Sequence, residues 1–245
     1  MMKTLFFLGL LCLCQISLSA DTSASIEKIK ALDGRIFYKK GQVVEIVLNG
    51  ASWESGDLAC LSNFPQITDL SLEQSSATDA DMALVAALPK LEWLNLYKTK
   101  VGDEGARHLS NNHSLQLLPI GSTLVTDAGM AHLAKLQQLT YLGLRGNSIS
   151  DASAPHLAQL TNLEGLYLGE TKVTDKTVCQ LSKLTKLKKL WLHDLPITDA
   201  SVVHLAKLTS LQELHIYATH ITATGARQLK AALPACRVIH EIFPQ

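Results

Sequence analysis

The sequence predicts an α/β fold, a right-handed solenoid with one parallel β-sheet on one side and helices on the other. Two observations predict it. Leucine begins a new segment every 24 residues from Leu91 to Leu211, and the same register extends back to Ile67 and Val43. Within each segment, a strand-like apolar pattern is followed by a helix-like one. Eight such units cover residues 43–234 without a gap, so we expect stacked units that share one core.

Each place in the 24-residue unit has its own physical role. In LEGLYLGETKVTDKTVCQLSKLTK, places 1, 4 and 6 are Leu163, Leu166 and Leu168, the core-facing residues of a short strand. Places 19 and 22 are Leu181 and Leu184, three residues apart on one face of a helix. Because crossovers between parallel strands are right-handed, all helices should lie on one side of the sheet.

A hydroxyl residue followed by aspartate stands between strand and helix in most units. We interpret these pairs as helix caps, in which the hydroxyl accepts from free N–H groups and the carboxylate lies near the positive end of the helix dipole. A ladder of calcium-binding oxygens is the alternative. The pairs are Thr78-Asp79, Thr126-Asp127, Ser150-Asp151, Thr174-Asp175 and Thr198-Asp199. Threonine at place 9, such as Thr99, is predicted to satisfy backbone groups inside the turn.

The two ends of the chain differ from the repeats. Residues 1–20 are predicted to be a signal peptide, with Lys3, an apolar run over 5–13 and small residues at Ser17 and Ser19. Cleavage fits best after Ser19, and an uncleaved anchor is the alternative. We therefore expect export, to the medium or to the periplasm and cell envelope.

Caps are predicted on both sides of the repeats. Residues 21–42 should form a helix over 24–32, stopped by Gly34, and the first strand of a hairpin. At the other end, residues 235–245 should form a cap strand. Leu233-Pro234 shifts the register by one residue, so Cys236 takes the place of a first leucine and is expected to be buried. The other two cysteines beyond the signal peptide lie in different units, so no disulfide is predicted.

The segment LKKLWLHDLPI at 187–197 resembles the LxxLxLxx[N/C/T]xL strand signature of leucine-rich-repeat proteins. The resemblance covers residues 43–234, and the helical half is similar to the ribonuclease-inhibitor and F-box-associated types more than to the 22-residue internalin type. It implies a horseshoe with its strands on the concave side, a bacterial exported domain, and binding of other macromolecules.

Residues at places 3, 5 and 7 alternate with the buried leucines and should face outward across the concave sheet. The chain has three tryptophans and five tyrosines, and six of these eight residues occupy these places. Exposed amphipathic aromatics are usual anchors of an interface. The alternative is that strands favour aromatic residues on any face. The predicted ligand-binding residues are Trp93, Tyr97, Tyr141, Arg145, Tyr167, Trp191, His193, His215 and Tyr217.

No cofactor and no metal are predicted. His193 and His215 with Glu213 or Asp194 could in principle bind a metal ion, but no family motif supports such a site. No nucleophile–base set or phosphate-binding glycine loop is recognisable either, and a linear periodic sheet lacks a deep pocket. The sequence therefore predicts a protein that is not an enzyme.

The segment over residues 111–122 breaks the pattern. Asn112 replaces the leucine of place 22 and begins an N-glycosylation sequon, Asn112-His113-Ser114. Pro119 stands inside a strand that should be central. Because proline removes a ladder donor, we expect a kink or a loosened sheet here.

The predicted function is non-enzymatic binding of a protein through the concave face, with a glycan as the alternative ligand. Lys plus Arg and Asp plus Glu both number 22, so nothing in the bulk charge favours nucleic acid or an anionic membrane. A structural envelope protein without a discrete ligand is a second possibility. An adaptor for ubiquitin ligation is a third, but too few residues precede the first unit to form an F-box.

Overall fold

A computed structural model describes residues 20–241, with residues 1–19 and 242–245 outside it. The predicted signal peptide, apart from Ala20, therefore lies outside the described residues. Within residues 20–241, no helix combines the length and the apolar character needed to cross a membrane.

The sheet has ten strands in the order of the chain. From β3 to β10 each strand begins 24 residues after the one before, and every neighbouring pair from β2 onward is parallel. The strands are β1 (Arg35–Lys39), β2 (Gln42–Val47), β3 (Asp69–Ser71), β4 (Trp93–Asn95), β5 (Leu117–Pro119), β6 (Tyr141–Gly143), β7 (Gly165–Tyr167), β8 (Lys189–Trp191), β9 (Glu213–His215) and β10 (Arg237–Ile239). The predicted repeat register is confirmed.

From β2 onward, one or two helical elements separate successive strands. The α-helices are α1 (Ala20–Ala31), α2 (Asp79–Ala86), α3 (Asp103–Leu109), α4 (Asp127–Leu133), α5 (Ala154–Leu157), α6 (Asp175–Leu181), α7 (Val202–Leu205) and α8 (Ala223–Ala232). The first unit has a 3₁₀ helix, Asp57–Asn63, and shorter 3₁₀ turns precede α5 and α7 at Asp151–Ser153 and Asp199–Ser201. The predicted α/β class is therefore correct.

The leucines at the repeat positions form the core. Leu163, Leu166 and Leu168 from the strand side and Leu181 and Leu184 from the helix side are all 0% exposed. They belong to one continuous cluster that extends from α1 to β10. No unit encloses these residues alone, so each unit depends on its neighbours for burial.

The hydroxyl–aspartate pairs cap helices, but the carboxylate acts across units. The Thr174 hydroxyl accepts from the Lys176 N–H of its own helix, as predicted. Asp151 instead accepts from the backbone N–H of Thr174 at 2.8 Å and from the hydroxyls of Thr174 and Thr177 at 2.6 Å, all in the next unit. These donors occupy the oxygens that a calcium ion would need, so we regard the ladder as structural.

The residue at place 8 has a positive φ in all eight units, a feature that the sequence analysis did not anticipate. Glycine adopts this left-handed conformation at Gly50 and Gly146. The other six residues are Gln74, Lys98, Ser122, Glu170, Asp194 and Ala218, with φ between 52° and 60°. A side chain in this conformation costs about 1 kcal/mol relative to glycine, so the turn after each strand stores a small strain.

Replacing Ala218 with glycine should raise the free energy of unfolding by about 1 kcal/mol, because the φ of 52° no longer opposes a Cβ atom. Urea denaturation of the variant and wild type measures the difference. Ala206→Gly is the matched control, since Ala206 has a right-handed φ of −60° and glycine should destabilise it. A decrease in stability for Ala218→Gly would contradict the role assigned to place 8.

The N-terminal cap agrees with the prediction in its elements and differs in detail. Helix α1 begins at Ala20, four residues before the expected start, and β1 and β2 form an antiparallel hairpin. The left-handed residue that follows the helix is Asp33 rather than Gly34. Gly34 is needed for close packing, because a Cβ atom there would lie 2.6 Å from Ile29 Cγ2.

At the C-terminal end, the predicted one-residue shift is present and then cancelled. The Cys236 N–H donates to the Leu233 carbonyl, as the Leu211 N–H donates to that of Leu208. Arg237 nevertheless pairs with Glu213, so β10 returns to the 24-residue spacing. Cys236 is buried, as expected, and burial raises the pKa of its thiol to about 11. All three cysteines of the described part are free.

The irregular segment over residues 111–122 also behaves as expected. Strands β4 and β5 keep a single register pair, Trp93 with Leu117, whereas β5 and β6 share three. Asn112 is only 3% exposed, and its side-chain nitrogen donates to the carbonyls of Ala86 and Leu88 at 3.2 and 3.0 Å. In the folded chain this nitrogen is therefore committed to the core and inaccessible to a glycosylating enzyme.

Candidate functional site

Six rings form a continuous network on the sheet face opposite the helices, with centroid distances between 4.6 and 6.4 Å. We call this set the aromatic strip. It consists of Tyr141, Tyr167, Trp191, His193, His215 and Tyr217. All six were among the predicted ligand-binding residues, and the structure brings them into one surface.

Parallel pairing in register explains why the rings meet. Tyr167, Trp191 and His215 occupy place 5 of three consecutive units and are direct cross-strand neighbours. Trp191 stacks on Tyr167 at 5.4 Å and on His215 at 5.7 Å, with interplanar angles of 26° and 28°. The strand spacing of about 4.8 Å suits such offset stacking, which stabilises the rings beyond the area that they bury.

Hydrogen bonds fix His193 in the middle of the aromatic strip. Its Nε2 lies 2.7 Å from the Tyr167 hydroxyl and its Nδ1 lies 2.7 Å from Asp194 Oδ2. One ring face stacks on Tyr217 at 4.6 Å with an interplanar angle of 6°. The side chain is only 2% exposed, so His193 is not the exposed residue that its place in the strand predicts. Neighbouring rings cover it, an effect that strand alternation cannot show.

Glycines beneath the rings allow the strip to lie close to the sheet. A Cβ atom on Gly165 would approach Tyr141 Cδ2 to 2.7 Å, and one on Gly169 would lie 2.7 Å from the His193 ring. Tyr141 and His193 therefore rest on bare backbone. Trp191 and Tyr217 are half-buried, whereas their places in the repeat predict exposed side chains.

A shallow depression of about 230 Å³ adjoins the strip over β5 and β6. Its lining consists of Tyr97, Pro119, Gly121, Tyr141, Gly143, Arg145 and Tyr167. Arg145 donates from Nε to Glu170 Oε1 at 2.9 Å and lies over the Tyr167 ring, with 5.9 Å between Cζ and the centroid. The hydrogen bond to Glu170 raises the pKa of Arg145 above its already high usual value, so the guanidinium stays charged.

The two remaining predicted residues lie nearer the N-terminal end of the sheet. Tyr97 lines the depression but makes no ring contact with the aromatic strip within the described part of the chain. Trp93 is the cross-strand neighbour of Leu117. The sequence analysis missed the glycine floor, Pro119 as a lining residue, and Glu170, because each matters only through a neighbouring unit.

A possible metal cluster differs from the one considered from sequence. Glu170, His193 and Asp194 each place one ligand atom within 4.8 Å of the others. Both ring nitrogens of His193 already have partners, and Glu170 is held by Arg145. His215 bonds separately to Glu213, with 2.5 Å between Nε2 and Oε1. These hydrogen bonds explain the cluster as a support for the aromatic strip.

Comparison with known proteins identifies the fold. No protein-family model matches the chain, and no curated protein does. Among solved structures, the chain is similar to internalin C2 from Listeria monocytogenes, with 23% identity, a TM-score of 0.66, and coverage of 89% of this chain and 92% of that one. An internalin (inlF) of the same species has 25% identity, a TM-score of 0.59 and coverage of 81% and 59%, so the chain spans less than two thirds of that protein.

A third similar structure was solved with a partner. It is the leucine-rich-repeat ectodomain of a plant membrane receptor kinase from Arabidopsis thaliana, in complex with CASPARIAN STRIP INTEGRITY FACTOR 2. The identity is 14%, the TM-score is 0.55, and the match covers 83% of this chain and 25% of that one. Together these structures confirm the predicted leucine-rich-repeat solenoid.

Proposed function

We propose that this chain is an exported recognition protein that binds a protein partner through the aromatic strip and the adjoining depression. One observation carries the proposal: six contiguous rings, five of them partly exposed, stack on one another, and Tyr141, Tyr167 and His193 lie directly against backbone glycines. Rings fixed in advance lose little entropy on binding, so more of the contact energy appears as affinity. Tyrosine and tryptophan also combine large apolar area with a polar group, as interface anchors do.

The hydrogen-bonded row of Tyr167, His193 and Asp194 supports recognition rather than catalysis. Burial raises the pKa of the Tyr167 hydroxyl, whereas an activated nucleophile requires a lowered pKa or an available base. His193 is nearly inaccessible. We therefore interpret the row as a support that orients the rings.

Export rests on the N-terminal sequence. Lys3, the short apolar run over residues 5–13 and the small residues up to Ala20 are typical of a secretory signal. The ectodomain in complex with its partner gives a precedent for protein binding by this fold. Recognition outside the cytoplasm is the function that these observations support best.

The test is affinity capture from the extracellular or periplasmic fraction, followed by titration of each captured protein. Trp191→Ala with Tyr217→Ala should weaken binding at least about 30-fold, the loss expected when an interface anchor is removed. Leu84→Ala with Val203→Ala is the matched control, because these side chains are 38% and 60% exposed on the helical side. Circular dichroism and thermal melting verify that both variants remain folded.

A partner that the Trp191/Tyr217 variant loses and the Leu84/Val203 variant keeps would support the proposal. If both variants bound the partner as tightly as wild type, the proposal would be contradicted and the binding site would lie outside the aromatic strip. Absence of any saturable partner would favour a structural role in the envelope. If wild type bound a neutral oligosaccharide and the Trp191/Tyr217 variant did not, the ligand would be a glycan and not a protein.

A further inference from the structure

Several ionisable groups in and beside the aromatic strip have partners within the protein. Arg145 pairs with Glu170, His193 with Asp194 and His215 with Glu213. This surface offers rings, hydroxyls and the remaining N–H groups of Arg145. Within residues 20–241, the exposed Lys189 at place 3 of β8 has no ion-pair partner. Such a surface fits the apolar or aromatic part of a ligand.

The N-terminal end of the same face carries carboxylates without a cationic partner, although Asp69 accepts from the Thr68 hydroxyl and Glu73 from the Asn95 side-chain nitrogen. Glu45, Asp69 and Glu73 lie at places 3 and 7 of the first two units, and Glu45 is the direct cross-strand neighbour of Asp69. None of the three carboxylates is within 4.0 Å of a cationic group in residues 20–241. Like charges directly opposite each other destabilise a sheet, so this end of the face would be relieved by a bound cation.

A buried hydroxyl between these carboxylates lacks a partner. Ser71 lies two residues from both Asp69 and Glu73, on the same face of β3, and is 2% exposed. Its Oγ makes no hydrogen bond, although buried polar groups in folded proteins nearly always do. The orphaned hydroxyl is an independent indication that a polar group of a ligand completes this site.

The cross-strand row at place 3 connects the acidic end to the apolar surface. Asp69 neighbours Trp93, Trp93 neighbours Leu117, and Leu117 neighbours Tyr141. From Asp69 on β3 to Trp191 on β8, the face spans five strand spacings, or about 24 Å. An extended peptide of about seven residues has this length.

We propose that the partner presents an extended, polar-ended peptide. Its apolar or aromatic residues lie on the surface from Trp93 to Trp191, and a positively charged end lies on the acidic site of Glu45, Asp69, Ser71 and Glu73. The charged end is one or two lysine or arginine side chains or a free amino terminus. This inference rests on the proposed function and adds the direction and charge of the ligand.

The chemistry of the acidic site favours an organic cation over a metal ion. In the described part of the chain, Glu170, His193 and Asp194 are the one trio with ligand atoms within 4.8 Å of one another. The carboxylates of Glu45, Asp69 and Glu73 are more widely spread, so a single ion cannot contact all three. A guanidinium carries five N–H donors and an ammonium carries three, and a long side chain can distribute these among separate acceptors.

The test uses a phage-displayed library of random dodecapeptides, panned on the full chain. We expect wild type to select peptides with lysine or arginine on one side of an apolar or aromatic stretch. A synthetic peptide from this selection is then titrated by fluorescence anisotropy against Asp69→Asn with Glu73→Gln, which removes two charges and keeps the side-chain shape. The expected loss of affinity is at least about tenfold.

Two controls make the result specific. Glu27→Gln with Glu104→Gln removes two carboxylates from helices α1 and α3, and this variant should bind like wild type. When the peptide's own lysine is replaced by glutamine, the Asp69/Glu73 variant should show no further loss, since the interaction is already absent.

The outcomes separate this inference from the proposed function. Two outcomes would overturn the inference: selected peptides without a cationic bias, or a peptide that the Asp69/Glu73 variant binds as tightly as wild type. If Trp191→Ala still abolished binding, the proposed function would stand. Peptides that keep their affinity for the Trp191→Ala variant would overturn the proposed function as well. Failure to select any peptide would also overturn the inference.

Discussion

Leu166→Ala should lower the free energy of unfolding by about 2–5 kcal/mol. Leu166 is 0% exposed and lies at place 4 of β7, in the single core that extends through all units. Truncation removes contacts with the strands on both sides and leaves a cavity in a region without solvent. Chemical denaturation followed by circular dichroism measures the loss.

An exposed leucine of the same chain is the appropriate control. Leu124 is 64% exposed, so Leu124→Ala should change the free energy of unfolding by no more than about 0.5 kcal/mol. If Leu166→Ala behaved like Leu124→Ala, stacked units would not share one core. In that case, the repeat places would have to be reassigned.

Asp151→Ala should destabilise the chain by about 1.5–3 kcal/mol, although residue 151 belongs to no buried apolar cluster. The change leaves the Thr174 N–H and the hydroxyls of Thr174 and Thr177 without their acceptor at the start of the next helix. The figure allows for solvent screening, because the carboxylate is partly exposed. The exposed Asp21 at the start of α1 provides the control, Asp21→Ala, for which a much smaller loss is expected.

The same contact should make stability depend on pH. Burial alone would raise the pKa of Asp151, but the hydrogen bonds from Thr174 and Thr177 outweigh it, so the pKa lies below its usual value. A carboxyl with a lowered pKa in the folded state stabilises the fold above its unfolded pKa of about 3.9, and this stabilisation is lost as the pH falls through the folded value. The stability difference between wild type and Asp151→Asn should therefore be constant above about pH 5 and shrink below about pH 4. A difference that does not change with pH would contradict the ionised cap.

The candidate site was foreseeable in its location and only partly in its geometry. Alternation along the strands placed Tyr141, Tyr167 and Trp191 on the sheet face opposite the helices, because side-chain direction in a strand follows from sequence position. The burial of His193 was not foreseeable. It depends on the Tyr217 ring one unit later and on the missing side chain of Gly169 one unit earlier. The repeat type, the export of the chain and its ligand remain predictions.

The sequence by itself determined the class of fold, the register of the repeats and the identity of the core leucines. These follow from a local apolar pattern that is present in each 24-residue unit. Tertiary structure alone decided which carboxylate caps which helix, which turn residues adopt a left-handed backbone and how the rings stack. The physical reason is that these features arise between residues about 24 apart in the chain. They depend on distances and orientations between stacked units, and the residues next to each other in the sequence do not set these.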